Sequence, residues 1–387
     1  MHFEFEKEED RLTTLKVLGV GGAGGNAINR MIESGVKGVD FVALNTDAQD
    51  LRRSKAGVKV QLGTNLTKGL GAGSNPEIGK RAAEENLGEI KELIKDSNMI
   101  FITAGMGGGT GTGASSVIAR ISKELDILTV GVVTRPFNFE AKLRMKQAEE
   151  GIRELKDLVD ALIIIPNHKL MEITDDDITF INAFKLADEV LMQGVRGISD
   201  LIKTSGYINV DFADVRTIMT HKGMALMGIG EGTGENKAVE AAEKAIKCPL
   251  LEDINVQGAR GILLNITIGP DVKFHDVTKA SEIIYNSADE NANIIIGTVL
   301  DNSFQDMMRV TIIATGFGVK DKKDIFTKPE PLSFEDYIQS SGLKPSSTAT
   351  VNSKKVEVPQ YKTKDLSEKS YNEDDFEIPT FLRRKVN

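Results

Sequence analysis

Among 387 residues there is a single cysteine, Cys248. No intramolecular disulfide is possible, which fits a reducing cytosol. Histidine is nearly as scarce: His2, His168, His221 and His275 are scattered and form no obvious set. A basic excess is also missing. Asp and Glu number 57 against 48 Lys and Arg, a net charge of −9, with a pI near 5.3. A phosphate backbone needs a basic face, so this balance argues against a nucleic-acid partner. Long apolar runs are absent too; ALIII at 161–165 is far short of the roughly 20 residues a membrane span requires. The opening MHFEFEKEEDRLTTL is acidic and has no apolar core, so no signal peptide is expected. Membrane association, if any, must pass through a partner or a surface helix.

What is present suits a soluble globular chain of two folded domains plus extra sequence. LKVLGV (15–20), VDFVALN (39–45), MIFITAG (99–105) and ILTVGVVT (127–134) read as strands. Between them NAINRMIESG ends at Gly35, PEIGKRAAEENLGEIKELIKDS opens on Pro76, and ASSVIARISKELD completes a set of helices. Near-continuous apolar strands alternating with helices predict a parallel sheet covered on both faces. A further helix, AKLRMKQAEEGIRELKDLVD, and strand, ALIIIPN, follow. A long helix then runs for about 28 residues, roughly 40 Å at ~1.5 Å per residue. Thr174, Asp175, Asp176 and Asp177 offer its N-caps and Gly206 its stop. It reads as a spine. Beyond it, helices NKAVEAAEKAIK and DVTKASEIIYNSA alternate with strands GILLNITI, NIIIGTVL and RVTIIATGF. The short loop between the last two strands predicts an antiparallel pair. The tail dissolves into polar sequence that cannot offset its ordering entropy, then regains apolar and basic residues in DFEIPTFLRRKVN.

The expected organisation is therefore α/β. An N-terminal extension (1–12) precedes a Rossmann-like parallel-sheet domain (13–177) and the central helix (178–206). A smaller C-terminal α/β domain (207–317), a disordered linker (318–373) and a partner-docking peptide (374–387) follow.

Two glycine loops carry the chemistry. VLGVGGAGG (17–25) satisfies the dinucleotide fingerprint G-x-G-x-x-G, a weak signal alone. A second strand–loop–helix passage, MGGGTGTGASSV, places five glycines around Thr110 and Thr112. Successive backbone N–H groups at a helix start form an anion nest, and both threonine hydroxyls could donate to phosphate. Neither loop contains G-K-[ST], so this is not a Walker A site. Two nests at adjacent strand ends match the ligand crevice of open α/β sheets. A dehydrogenase would need only the first.

GGGTGTGAS resembles the signature loop of the tubulin/FtsZ superfamily of GTPases. GVGGAGGNA, ALNTDAQ, TRPFNFE, NVDFADVRTIM and EIPTFLRR resemble its cell-division branch, over residues 12–317 and the last dozen. The resemblance implies GTP and GDP as ligands, with Mg2+ accompanying the nucleotide and no metal held by the protein alone. Gly22, Ala23, Gly24, Gly25 and Asn26 would wrap the nucleotide; Gly109, Thr110 and Gly111 would enclose the β- and γ-phosphates; Ala72 and Gly73 would sense the γ-phosphate. Glu140 would accept from the ribose and Arg144 lie against sugar and phosphate; an i,i+4 helix pair is the plain structural alternative, and both readings could hold together. Thr134 and Asn167 would line the sugar pocket. Phe184 would stack on the base, and Asp188 would accept from guanine N1–H and N2–H₂, which adenine cannot match.

Asn209, Asp211 and Asp214 would form the catalytic set, with an N-cap and a first-turn acid as the plain structural alternative. The spine puts these acids roughly 27 Å beyond the base contact at ~1.5 Å per residue. They could therefore act only on the nucleotide of the next molecule, in a head-to-tail homopolymer. The resemblance further implies a cytoplasmic protein at the division site beneath the inner membrane. Membrane-tethering and regulatory division proteins would dock between Asp375 and Arg384, with no direct membrane insertion. Two alternatives stay open: an NAD(P)-dependent oxidoreductase using Asp47 or Asp40 on a ribose, and a tubulin-like filament protein unconnected with division.

Overall fold

The computed structural model describes residues 13–317 apart from 173, 175–177, 205, 222 and 252–257. The expected extension, linker and docking peptide, and the proposed caps Asp175, Asp176 and Asp177, lie outside the described residues.

The chain runs β1 (Leu15–Val20), α1 (Gly21–Glu33), β2 (Asp40–Asn45), α2 (Ala48–Arg53), β3 (Val58–Gln61), α3 (Thr64–Thr67), α4 (Pro76–Glu85), α5 (Leu87–Ile94), β4 (Met99–Gly105), α6 (Thr110–Glu124), β5 (Leu128–Arg135), α7 (Lys142–Lys156) and β6 (Ala161–Pro166). After α8 (Asn167–Leu170) and α9 (Phe180–Lys203) come α10 (Phe212–Met219), β7 (Gly223–Thr233), α11 (Lys237–Ile246), β8 (Gly261–Ile268), α12 (Phe274–Ser287), β9 (Asn293–Leu300) and β10 (Met307–Thr315).

The strands form one sheet in the order β3-β2-β1-β4-β5-β6-β7-β10-β8-β9. From β3 to β7 every neighbour is parallel. Alternate residues of β1 and β4 serve opposite faces, as the pleat dictates. Leu15, Val17, Met99 and Phe101 join α1 and α9 in one core. Leu18, Val20, Ile100 and Ile102 join α4, α5, α6 and α7 in the other. Both faces are covered, as the apolar strands predict.

Four details depart from expectation. The helix opening at Pro76 breaks at Asn86, whose side chain leaves the helix to accept from the Gly63 N–H at 2.9 Å. The spine, α9, has 24 residues. It starts at the Thr179 cap, whose hydroxyl accepts from Asn182 N–H, and stops at Lys203 because Thr204 turns extended before Gly206 is reached. β7 was not expected as a strand, because its alternate glycines hide the apolar pattern. Finally, β9 and β10 are not an antiparallel pair. β10 lies between β7 and β8, antiparallel to both, while β9 pairs parallel with β8 at the sheet edge. α12 supplies the crossover that a parallel β8–β9 pair needs; β10, inside the sheet, is almost wholly buried, whereas half of β9, at its edge, is only partly covered.

α9 is fastened to the second half of the sheet. Arg196 pairs with Asp200 at 2.9 Å and reaches Asp301, just beyond β9, at 3.1 Å. Asn265 of β8 donates from Nδ2 to the Gly197 carbonyl at 3.0 Å. α11 sits directly on β7, backbone against backbone. A Cβ on Gly230 would stand 2.1 Å from the Ala241 carbonyl oxygen. Gly230→Ala is therefore expected to destabilise the fold by about 1–3 kcal/mol, the usual range for overpacking. Denaturant unfolding measures this, and an unchanged midpoint would show that α11 can slide off the strand freely.

Candidate active site

α1 and α6 both begin at the carboxyl edge of the sheet, after the adjacent strands β1 and β4. Neither helix has a side-chain N-cap, and neither has an acid in its first turn. Their first N–H groups have no intrahelical partner, and the helix dipoles add positive potential. Two uncapped helix starts side by side make an anion site. The glycines allow the approach: a Cβ on Gly21 would stand 2.9 Å from the Gly111 nitrogen, and one on Gly109 2.7 Å from the Ala72 Cβ.

The cleft between them encloses about 240 Å³. Gly22, Ala23, Ala72, Gly109, Thr110, Gly111 and Arg144 line it. Gly73 adjoins it in the same loop, with open space where its Cβ would be. Gly24 faces inward instead. A Cβ there would stand 2.4 Å from the Thr103 carbonyl, so its hydrogen side chain serves the seating of α1 on the sheet. Thr112 corrects an expectation. Its buried hydroxyl accepts from the Gly107 N–H at 2.8 Å and shapes the loop rather than facing the cleft. Thr110 does face it, with its hydroxyl 2.6 Å from that of Thr46.

The cleft also exposes residues that sequence reasoning missed: Asn45, Thr46, Asp50 and Ser74, with Asp47 known only as a ribose candidate. They cluster because α2 starts there. Asp47 Oδ1 caps it, accepting from Gln49 and Asp50 N–H. That six-residue helix is too short to announce itself by periodicity.

Beyond the phosphate cleft, Glu140 uses Oε1 to accept from Phe137 N–H at 2.8 Å and pairs through Oε2 with Arg144 at 3.2 Å. The i,i+4 ion pair is thus real, but it spans the start of α7 rather than lying within a helix, because Glu140 precedes the helix and Ala141 turns to φ 80° between them. Thr134 is buried at the end of β5 beside Gly105. Asn167 is buried at the end of β6, and its Oδ1 has no partner among the described residues. An orphaned buried acceptor asks for a ligand. Gly25 and Asn26 line an adjoining recess of about 180 Å³ with Asn29, Asn45 and Asp50. One turn after Asn26, Arg30 pairs with Glu189 of α9 at 3.6 Å.

The first turns of α9 carry a cluster of aromatic rings. Phe184 packs edge-on to Phe137 at 5.2 Å and to Phe180 at 5.0 Å between centroids, and Phe139 stacks on Phe137 at 5.3 Å. Phe139, Phe180 and Phe184 keep exposed faces. Four residues after Phe184, burial pushes the Asp188 carboxyl up to about 7, with Arg30 pulling partly back. An acceptor held in a desolvated place gains most from donors that arrive with a ligand.

Asn209, Asp211 and Asp214 are not brought to this cleft. The 24-residue α9 is about 36 Å long, with Phe184 and Asp188 on its first turns and the acid-bearing loop after its last. A second ruler agrees. α6 starts at the phosphate nest, has 15 residues and is about 22 Å long. Arg216 of α10 pairs with Asp126, just past the far end of α6, at 3.1 Å. The acids therefore sit at the opposite pole. There Asp211 caps α10, accepting from Asp214 N–H at 2.7 Å, and Asn209 Oδ1 accepts from Gly206 N–H at 2.8 Å. The plain structural alternative holds for these residues within one copy. Both carboxylates remain exposed.

Comparison with known proteins decides the family. Residues 14–175 match the Tubulin/FtsZ family GTPase domain, and residues 223–318 match the FtsZ family C-terminal domain. A solved FtsZ dimer from M. jannaschii, in an empty state, is 46% identical over 79% of this chain and 88% of that one, with a TM-score of 0.76. The chain belongs to the FtsZ family. Two structures from Haloferax volcanii share the fold alone. CetZ2, solved as a GTPγS-bound protofilament, is 18% identical, covers 81% and 96% of the two chains, and has a TM-score of 0.66. CetZ1, solved as a GDP-bound monomer, is 19% identical, covers 79% and 94%, and has a TM-score of 0.68. Family membership makes the paired nests those of a GTPase, and the oxidoreductase alternative falls. Among the described residues no helix is long and apolar enough to cross a membrane.

If Asp188 receives the base, its titration appears in binding. Guanine donors favour the carboxylate, so affinity is full above pH 7 and falls as the free site protonates, toward about tenfold per pH unit. GDP affinity measured from pH 5.5 to 8 in wild type and Asp188→Asn should diverge in slope below pH 7. The comparison cancels titration of the nucleotide phosphates. Parallel profiles would take Asp188 out of base recognition.

Proposed function

We propose that this chain assembles head to tail into filaments and hydrolyses GTP at each junction. Asp211 and Asp214 of one copy would act on the nucleotide held by the next. One observation carries this reading: nest and acids lie at opposite ends of two long helices, α6 and α9. A site split between poles is incomplete in a monomer, and a heterologous contact that does not close generates a filament. The relative from M. jannaschii solved as a dimer supports self-association.

In the proposed junction, backbone N–H groups of Gly22, Ala23, Gly109 and Gly111 bind the phosphates, and the Thr110 hydroxyl adds a donor. Ala72 and Gly73 sit where the terminal phosphate is sensed. Gly24 seats α1, Gly25 and Asn26 flank the nucleoside, and Glu140, Arg144, Thr134 and Asn167 hold the sugar. Phe184 stacks on the base and Asp188 selects guanine. Asp211 and Asp214 orient and polarise the attacking water, with Asn209 shaping their loop. Positioning and electrostatics then carry phosphoryl transfer.

The oxygen donors Asn45, Asp47 and Asp50 on the cleft wall fit a hard cation and would hold the Mg2+ that accompanies the nucleotide, which would supply charge neutralisation during phosphoryl transfer. GDP left at the junction weakens it. We further propose that the chain works in the cytoplasm at the division site. There residues 374–387, tethered by 318–373, would dock partners that hold the filament to the membrane. The units 13–177, 178–206 and 207–317 are the proposed working parts.

A mixing experiment tests the split site. Asp211→Ala should bind GTP and co-sediment yet barely turn over. Asp188→Ala should fail to bind GTP while keeping its acids. Phosphate release from the mixture should exceed the sum of the two alone, because each junction of the right order regains a full site. Strict additivity, or full-speed turnover by a dilute monomer, would refute the shared junction.

A further inference from the structure

Asp211 and Asp214 are carried on the connection between α9 and α10, and that connection has a definite seat. Thr298 is buried in the middle of β9. Its N–H donates to the Ile208 carbonyl at 3.0 Å, and its Oγ1 accepts from the Ile208 N–H at 2.9 Å. Its own carbonyl lies so close to Gly206 that a Cβ there would stand 1.6 Å from the oxygen. Next to it, a Cβ on Gly297 would meet Leu201 at 2.4 Å and Val210 at 2.8 Å. β9 has a strand partner, β8, on one side only. The connection occupies the other side, and Asp211 follows three residues after the clasped Ile208.

We propose that Thr298 is a positioning residue for the acid pair, through which the C-terminal half of the sheet sets the reach of Asp211 and Asp214 into the neighbouring nucleotide site. The proposal rests on the junction reading above. Within the clasp, the hydroxyl is the contribution of the side chain; the other bond is backbone. Valine keeps the shape but removes the acceptor, leaving the Ile208 N–H without its partner. The loop then loses its register on β9. In-line attack tolerates little displacement: about 1 Å can cost on the order of a hundredfold.

The test uses the full chain as wild type, Thr298→Val, Thr298→Ser and Asp211→Ala. GTP affinity is measured on dilute protein, assembly by sedimentation, and phosphate release at saturating GTP per sedimented subunit. Thr298→Val is expected to keep affinity and assembly within about twofold while turnover per assembled subunit falls about tenfold or more, inside the range that a misplaced catalytic group costs. Thr298→Ser keeps the acceptor and is expected to restore turnover. Wild-type turnover per assembled subunit in Thr298→Val overturns the proposal. So does a loss that merely tracks the sedimented fraction, or a serine variant as slow as valine. If valine impairs folding, Gly206→Ala displaces the same loop while leaving β9 intact. The same loss is expected there, and wild-type turnover again overturns the proposal. Wild-type turnover in Asp211→Ala marks the other failure, that of the junction reading itself, whatever Thr298 does.

Discussion

Two helix starts held within touching distance govern this molecule. Each of α1 and α6 presents unpaired N–H groups, and placing them side by side concentrates like partial charges. Nothing in the first turns relieves this: no acid, no capping side chain. The arrangement persists because glycines let the backbones meet and because both helices are anchored by apolar packing behind them. Twelve of the fifteen α6 residues are buried. The sheet and its cores thus stabilise a local arrangement that is unfavourable until an anion arrives.

The same parallel sheet that lines up those helix starts also dictates where everything else can go. Parallel strands put all their carboxyl ends on one edge, so a ligand crevice has one natural address. The connection through α9 then carries the chain to the opposite edge before α10 begins. β7 continues the sheet, pairing with β6 on one side and β10 on the other. The two family-matched segments therefore share a hydrogen-bonded framework. Arg196 and Asn265 tie α9 to its second half.

Much of this was legible in the sequence. LKVLGV and MIFITAG announce buried strands by apolar continuity, and the glycines after them announce the nests. Features that depend on helical phase or on distant chain segments were not legible. Thr110 and Thr112 look alike in the sequence, yet two residues of helix rotation turn one hydroxyl to the cleft and the other into the loop. Phe137 and Phe139 join Phe180 and Phe184 only once β5 and α9 are packed together. Asp47 and Asp50 reach the cleft through a six-residue helix. β7 was hidden by its own glycines, which make no sense until α11 is laid on them. The order of β10 and β9 depends on α12 acting as the crossover between β8 and β9, which the short loop before β10 does not reveal.

The backbone pairing of residue 208 with β9 has a consequence for solubility. An open strand edge is a template for joining with other chains, and proteins usually blunt it with charge, proline or a covering segment. Here the cover is the loop that bears the two acids. With that flank occupied and negatively charged, the β9 edge around Thr298 offers other chains no open ribbon from which amyloid-like stacking could grow.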